Sequence, residues 1–246
     1  QMKMYGSLYP THYKFKYPKA GEDNSLISIR IFDTQYDRHF VFDVGNNPDI
    51  YIPRIMWSKR RDELIVFKMN RLQNKLELLS GTFSMDTPNN IGIRTNPIYT
   101  ENSTTYIDIH DNTSFINENE FIWTSEKDGY NHIYLINYAN GTEKQLTSGD
   151  WDVTEVYGYA SQSKKIFFQA AKSHPTKREI YALHTKNNKI ELLTEKSGTN
   201  EANFSKTFNY FINTHSSADT PFEITLHNQK GKLVKALEKN EILKNK

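Results

Sequence analysis

The chain has 246 residues, of which 13% are aromatic, 31 are basic and 29 are acidic, so its formal net charge is only +2. The two signs are interleaved along the chain, which does not match the one-sided basic surface of a nucleic-acid-binding domain. Because there is no cysteine, disulfides and thiolate catalysis are excluded. No apolar run reaches the roughly 18 residues of a membrane-spanning helix.

The first predicted elements are strands. Residues 12–17 and 26–32 alternate apolar and polar side chains, and strand-like runs follow at 63–67 and 76–79 with a turn near Asn74. The high Tyr and Phe content favours pleated, half-buried strands over a helical bundle. We therefore expect β-structure almost throughout the chain.

The segment from Gly81 to Asn119 separates this early unit from the next one. It is about 20 residues longer than a repeat of forty-odd residues allows. It also contains Pro88-Asn89-Asn90 and Asn102-Ser103-Thr104-Thr105, which are typical of loops. We predict that part of this segment is a long loop at the rim of the fold.

Three later segments repeat at a nearly constant spacing. They begin at Glu120, Lys165 and Asn209, which are 45 and 44 residues apart, and each begins with an apolar strand-like run. A second run follows in each, and then a turn that tolerates positive φ; these turns are Asn140-Gly141, Asn187-Asn188 and Lys230-Gly231. A period in the forties that is built from strands indicates a β-propeller.

We therefore predict an all-β fold, a partial β-propeller over residues 1–238 with about four four-stranded blades plus a fraction of a fifth. The predicted units are roughly 8–45, 50–110, 114–153, 154–199 and 200–238. Residues 239–246 are polar and are predicted to begin a linker to a further domain. An open arc of blades would leave apolar end faces in water, so we expect the chain to be a piece of something larger.

The sequence offers no convincing catalytic or metal-binding residues. No glycine is followed two positions later by serine, so the Gly-x-Ser-x-Gly elbow of an α/β-hydrolase is absent from this chain. Asp108, His110 and Asp111 are the only local group of metal-ligand types, and in a polar loop they are more often surface residues. We predict no catalytic, cofactor-binding or metal-binding residue and no cofactor.

Other candidates also favour structural roles. Glu118 and Glu120 resemble a hydrophilic turn before a strand, and Lys59-Arg60-Arg61 resembles a solvated turn. The three tryptophans, Trp57, Trp123 and Trp151, lie within or beside predicted strands, where blade core is a better interpretation than a ligand-stacking surface.

Several strings resemble one known family. They are Tyr17-Pro18-Lys19-Ala20-Gly21-Glu22-Asp23-Asn24, residues 124–135 with Ser125-Glu126 and Asp128-Gly129, Tyr51-Ile52-Pro53-Arg54-Ile55-Met56-Trp57, and Gln145-Leu146-Thr147-Ser148-Gly149-Asp150-Trp151-Asp152-Val153. In order and spacing they resemble the bacterial branch of the dipeptidyl peptidase IV family of prolyl oligopeptidase-like serine peptidases (family S9), from about Leu8 to Lys246. The resemblance implies the second half of an eight-bladed propeller that covers an α/β-hydrolase domain.

The resemblance also implies a function for the parent protein, which is release of N-terminal Xaa-Pro, or less well Xaa-Ala, dipeptides by a serine-type exopeptidase. The family's substrate-binding glutamates lie upstream of the matched segment and its catalytic triad lies downstream, so none can be carried onto this chain. The segment is expected to wall and gate the substrate cavity and to be inactive alone.

Expected partners are the hydrolase domain and the first propeller half of the same parent chain, proline-containing peptides, and a second copy in a homodimer. Nucleic acid and a membrane span are not expected. The resemblance implies a periplasmic or cell-envelope location. The alternatives are a stand-alone propeller that serves as a protein-interaction module, and a carbohydrate-binding β-domain.

Overall fold

The computed structural model describes residues 2–4, 6, 8–16, 19–35, 37–83, 92–93 and 95–244. These residues form 21 β-strands and one short helix, α1 (Glu241–Lys244). The chain divides into two compact units, residues 1–56 with 64–107 and residues 57–63 with 108–246. Pro88-Asn89-Asn90 of the predicted rim loop lies outside the described residues.

The first unit contains three sheets. A hairpin pairs β1 (Met2–Met4) with β2 (Thr11–Tyr13). A three-stranded sheet has the order β3 (Ile29–Asp33), β4 (Arg38–Phe42), β8 (Gly92–Ile93), and its β4 and β8 are parallel. A four-stranded sheet has the order β5 (Ile50–Trp57), β6 (Glu63–Asn70), β7 (Lys75–Thr82), β9 (Thr95–Asn102).

The core of the first unit joins its two larger sheets. Buried side chains of both sheets form one cluster; they are Phe40, Phe42, Val44, Ile50, Leu64, Val66, Leu79, Phe83 and Ile93. Gly81 of β7 allows this packing, because a Cβ atom there would lie 2.4 Å from the Phe42 ring and 2.9 Å from Cγ2 of Ile93. A larger residue at this position would push the two sheets apart.

The second unit consists of three four-stranded antiparallel sheets, each with its strands in chain order. The first sheet is β10 (Ser114–Phe115), β11 (Glu120–Ser125), β12 (His132–Asn137) and β13 (Thr142–Gln145). The second sheet is β14 (Val153–Ala160), β15 (Lys165–Ala170), β16 (Glu179–His184) and β17 (Ile190–Leu192). The third sheet is β18 (Thr199–Phe204), β19 (Tyr210–Ser217), β20 (Thr220–Asn228) and β21 (Leu233–Glu238).

Consecutive sheets of the second unit share apolar cores. Ile122 and Ile133 of the first sheet pack with Ile166 and Phe168 of the second. Phe167 of the second sheet packs with Phe211 of the third. The Phe167 ring is stacked on the Phe208 ring, with 5.5 Å between the two ring centroids. Such interdigitated cores hold neighbouring sheets in one fixed arrangement.

The predicted repeat is present, and it begins on the second strand of each sheet. The residues predicted from Glu120 and Lys165 form β11 and β15, in which five of six residues are buried. The three predicted turn pairs connect the third and fourth strands, and Gly141, Asn188 and Gly231 have φ values of 71°, 56° and 81°. The prediction of an all-β chain of four-stranded units is confirmed.

The segment from Gly81 to Asn119 contains a strand as well as irregular structure. Residues 95–102 form β9, the fourth strand of the first unit's four-stranded sheet, and Ser103-Thr104-Thr105 of the predicted loop follow it outside any strand. Pro97 of β9 pairs with Leu79 of β7, beside a register shift between Leu78 and Leu79. The proline and the register shift weaken the alternating pattern by which a strand is predicted.

Candidate functional site

The basic turn between β5 and β6 is less solvated than its sequence predicts. Arg61 is exposed, but Arg60 Nε donates a hydrogen bond of 2.6 Å to the carbonyl of Glu118, and Arg60 Nη2 donates to Asn119 Oδ1 at 2.6 Å. The Arg60 guanidinium also lies 4.4 Å from the centre of the Tyr138 ring. The prediction of a solvated turn is therefore wrong for Arg60, which fastens the turn to the β10–β13 sheet.

The predicted group of Asp108, His110 and Asp111 does not form a metal site. His110 Nε2 lies 2.8 Å from the carbonyl of Thr124, and its Nδ1 accepts the backbone N–H of Asn112 at 3.3 Å. Both imidazole nitrogens are thus used in fixing the chain before β10. Among the residues that the structure describes, no three His, Asp or Glu side chains converge as a metal-binding group.

Glu118 lies in the tight turn that leads into β11, and Glu120 is the first residue of that strand. The carbonyl of Glu118 accepts the Tyr138 hydroxyl at 2.6 Å, and Glu120 Oε2 accepts Nδ2 of Asn117 at 2.6 Å. Burial raises the pKa of Tyr138 to about 12, so its hydroxyl remains a donor at neutral pH. The Glu118 carbonyl and the Glu120 carboxylate therefore stabilise the turn.

The tryptophans divide into two groups. Trp123 and Trp151 are buried, with 2% and 8% of their surface exposed, as predicted for blade core. Trp57, at the end of β5, is 56% exposed, so the prediction is wrong for this residue. Trp57 is the last residue of β5, an edge strand of its sheet.

The Ser-Glu-x-Asp-Gly-x-x-His string forms a structural turn. Gly129 adopts φ of 109°, and His132 is fully buried with Nδ1 at 3.1 Å from Thr147 Oγ1 and Nε2 at 2.9 Å from the carbonyl of Gly149. His132 therefore fixes the link between the first two sheets of the second unit.

Asn112 is a bridging residue that sequence reasoning missed. Its Nδ2 donates to Thr124 Oγ1 at 3.1 Å, and its Oδ1 accepts the backbone N–H of Val156 at 2.9 Å. The side chain thus joins β11 to β14, the first strand of the next sheet. No sequence signal identifies it beyond a glycosylation sequon.

A polar cavity of about 290 Å³ lies against the third sheet of the second unit. We use the name polar cavity for the space whose polar walls include Lys196, Asn213, His215, Glu223, Thr225 and Lys244. Asn213 and His215 alternate along β19 and therefore point to the same face, and His215 pairs in register with Glu223 of β20. Sequence reasoning did not select any of these residues.

Glu223 is the charged centre of the polar cavity. Its side chain is only 6% exposed, and it accepts hydrogen bonds from the ammonium groups of Lys196 and Lys244. These hydrogen bonds, first from Lys196 and then from Lys244, lower the pKa of Glu223 to about 2. The carboxylate therefore stays ionised at any physiological pH.

The neighbouring amide and imidazole have fixed orientations. Asn200 Nδ2 donates to the carbonyls of Arg178 and Lys196, so Asn200 Oδ1 must accept from Asn213 Nδ2, which lies 2.9 Å away. His215 Nε2 lies 3.0 Å from the carbonyl of Ser197, so this nitrogen carries a proton. Asn213 Oδ1 and His215 Nδ1 remain as buried atoms without a hydrogen-bond partner in the protein.

The fold and these contacts describe a segment of a β-propeller. A sequence profile for the dipeptidyl peptidase IV (DPP IV) N-terminal region matches residues 1–222. The chain belongs to the dipeptidyl peptidase IV family, as part of that N-terminal propeller region. The family and the partial-propeller fold that the sequence predicts are both confirmed.

Individual relatives agree with this assignment. The crystal structure of Porphyromonas gingivalis dipeptidyl peptidase 4 matches 99% of this chain at 35% identity with a TM-score of 0.86. That of a putative dipeptidyl aminopeptidase IV from Bacteroides ovatus shares the fold over 96% of the chain, with a TM-score of 0.79 at 23% identity. A probable dipeptidyl-aminopeptidase B of Aspergillus oryzae is 26% identical over 94% of the chain.

The chain spans only part of the length of these relatives. It covers 34% of the Porphyromonas chain and 27% of the Aspergillus protein. Within the described part of the chain, no helix has the length and apolar character needed to cross a membrane.

Proposed function

We propose that this chain is the non-catalytic propeller segment of a serine-type dipeptidyl peptidase that releases N-terminal Xaa-Pro, or less well Xaa-Ala, dipeptides. The observation that carries the proposal is the match over 99% of the chain to Porphyromonas gingivalis dipeptidyl peptidase 4. The remaining two thirds of such a protein would supply the α/β-hydrolase domain and the first propeller half.

The segment itself would contribute a wall of the substrate cavity and no catalytic group. Its sheets are joined by buried apolar cores and by polar bridges such as Asn112, which favours a rigid wall over a mobile lid. A rigid wall above a catalytic cavity would admit short or unfolded peptides and exclude folded proteins. The sequence of this chain contains no Gly-x-Ser-x-Gly elbow, so the segment alone is expected to be inactive.

The activity is tested on the complete protein that carries this chain. We expect it to release p-nitroaniline from glycyl-proline p-nitroanilide, more slowly from glycyl-alanine p-nitroanilide, and not from the N-acetylated form of the first substrate. A fluorophosphonate, which reacts with activated serine, should abolish the hydrolysis. Equal cleavage of the acetylated substrate, or resistance to the fluorophosphonate, would contradict the proposal.

The proposed limit on access to the cavity is tested by comparing a large folded substrate with a short peptide. A folded protein that begins with Xaa-Pro should resist the enzyme, whereas the isolated N-terminal peptide of the same protein should lose its first dipeptide. Equal rates for both would argue against a size filter. The isolated segment of 246 residues should show no hydrolysis of either substrate.

Two further parts of the proposal concern the intact protein. We expect it to form a homodimer in solution, which light scattering would detect as twice the chain mass. We also expect a periplasmic or cell-envelope location in a bacterium, and cell fractionation that recovers the protein only with cytoplasmic markers would contradict it.

A further inference from the structure

A groove lies between the first and second sheets of the second unit. We use the name basic groove for this space of about 370 Å³, whose walls include Gln145 of β13, Ile190 of β17, and Ser148, Trp151, Lys172 and Asn188. Its volume lies within the range of small-molecule sites, which span roughly 300–1,000 Å³. Among the described residues that form its walls there is no aspartate or glutamate. Lysines therefore set the charge of the basic groove.

Two lysines at the basic groove lack the carboxylate partner that their neighbours have. The ammonium group of Lys144 lies 3.2 Å from the amide oxygen of Asn188, and that of Lys172 lies 5.2 Å from the centre of the Trp151 ring. Neither ammonium group forms an ion pair with a carboxylate in the part of the chain that the structure describes. Other lysines of these two sheets are paired with glutamates; they are Lys127, Lys165 and Lys189.

The carboxylates closest to the basic groove are already bound. Glu191 follows Ile190 on β17, so its side chain points to the opposite face of the strand, where it accepts a hydrogen bond of 2.9 Å from Lys165. The Asp128 carboxylate is bound by the Gln145 amide. With two ammonium groups against this one carboxylate, the local charge stays positive, which favours an anion as ligand.

The indole N–H of Trp151 is a further donor at the basic groove. Trp151 is only 8% exposed, and its Nε1 has no hydrogen-bond acceptor among the described residues, yet this nitrogen is not fully enclosed by protein. A Cβ atom on Gly149 would lie 2.6 Å from Trp151 Nε1, so the glycine leaves the N–H uncovered. Polar groups in such surroundings are usually paired, and a ligand beside Trp151 should therefore supply an acceptor.

We propose that the basic groove binds a small organic carboxylate. One carboxylate oxygen would accept the Trp151 indole N–H, and the other would accept the Lys172 ammonium group. The apolar body of the ligand would lie on Leu146 and Ile190, which pack against the same apolar core as Trp151. Lys144 would add a longer-range attraction. An inorganic anion would use the same donors but would leave this apolar wall in water.

Calorimetric titration of the complete protein that carries this chain, with sodium benzoate, tests the site. We expect saturable binding with a dissociation constant in the range of about 0.1–10 mM, as suits a small ligand with one charged anchor. Benzamide has nearly the same shape without the charge, and it should bind at least about tenfold more weakly. Benzylammonium has the opposite charge and should not bind. Absence of saturation by benzoate, or equal binding of either control compound, would overturn the proposal.

Three variants assign the binding to this groove. Lys172→Met removes the anchoring ammonium group and should weaken benzoate binding by about three- to tenfold. Trp151→Phe keeps an aromatic ring but removes the N–H donor, and it should also weaken binding by about three- to tenfold. Lys206→Met is the matched control, because it removes the same charge from an exposed turn between β18 and β19 and should change the affinity less than about twofold.

The two lysine variants keep the test decisive if Trp151→Phe does not fold, because both replace exposed side chains. Weakening by Lys172→Met without weakening by Lys206→Met supports direct contact with the ligand. Equal weakening by both would indicate only a general charge effect and would overturn the site. Unchanged affinity in Lys172→Met would also overturn it, since benzoate would then bind elsewhere on the protein.

Discussion

Replacement of Gly158 by alanine should destabilise the second unit through two separable effects. Gly158 lies in β14 with φ of 138°, at a register shift that follows Val156. A residue with a Cβ atom rarely adopts this conformation, and the backbone strain costs about 1–3 kcal/mol. In addition, the new Cβ would lie 2.7 Å from Cζ of Phe208.

Phe208 cannot easily move away from a new methyl group. Its ring is stacked on Phe167 at a centroid distance of 5.5 Å and packs against Phe204 at 5.4 Å. Forcing an extra methyl into such a core costs about 1–3 kcal/mol. The total expected loss in the free energy of unfolding is therefore about 2–6 kcal/mol.

Urea unfolding, followed by tryptophan fluorescence, separates the two effects. Gly129→Ala is the matched control, because Gly129 also has a positive φ of 109°, but a methyl group added there would meet no atom within 4 Å. The Gly129→Ala variant should lose only the part of the free energy of unfolding that is due to backbone strain, about 1–3 kcal/mol. Adding Phe208→Leu to Gly158→Ala should recover about 1–3 kcal/mol relative to the sum of the single variants. Equal losses for the two glycine variants, or no coupling with Phe208→Leu, would refute the packing argument.

Three further predictions concern polar contacts. Arg60→Ala should lower the free energy of unfolding by about 1–3 kcal/mol, because it removes hydrogen bonds to Glu118 and Asn119, whereas Arg61→Ala should change it by less than about 0.5 kcal/mol. Asn112→Ala should lower the free energy of unfolding by about 1–3 kcal/mol, because it leaves the partly buried backbone N–H of Val156 without its side-chain acceptor. Glu223→Gln should alter the acid dependence of stability: the folded pKa of about 2 lies below the ordinary 4.5, so the Glu223 contribution is complete above pH 4.5 and is lost as the pH falls toward 2.

Chemical unfolding at pH 7 checks the first two predictions, and equal effects of Arg60→Ala and Arg61→Ala would show that the turn is solvated after all. For the third, thermal unfolding is followed between pH 7 and pH 2. The stability difference between the wild-type chain and Glu223→Gln should narrow as the pH is lowered below 4.5. A difference that stays constant over this range would contradict the ion-pair account of Glu223.

Much of the strand order could be predicted because the central strands have strong local signals. β11 and β15 are buried on both faces, so nearly every residue is apolar or small and the run stands out. The edge strand β14 has exposed and half-buried residues between its buried ends, and its pattern is interrupted by the bulge near Gly158. It escaped prediction as a strand because its conformation depends on the neighbouring sheet.

The candidate site was less predictable than the fold. Asn112, Asn213 and His215 are ordinary polar residues in the sequence, and nothing nearby indicates that Asn213 and His215 are buried or that Asn112 bridges two sheets. Their roles arise from residues more than ten positions away, such as the Asn213 amide bound to Asn200 and the Asn112 amide bound to Val156. Neither a repeat period nor a short motif in the sequence predicts hydrogen bonds of this kind.

The sequence by itself determined the family, the all-β class and the repeat, because turn residues and apolar runs act locally and recur at each blade. The tertiary structure decided which polar side chains are buried and how they pair. In the folded chain Arg60 donates hydrogen bonds to the carbonyl oxygen of Glu118 and the amide oxygen of Asn119. Trp57 is exposed, and the ammonium groups of two lysines bind Glu223. The physical reason is that burial and hydrogen bonding depend on what lies across the interface, which is set only when the sheets pack together.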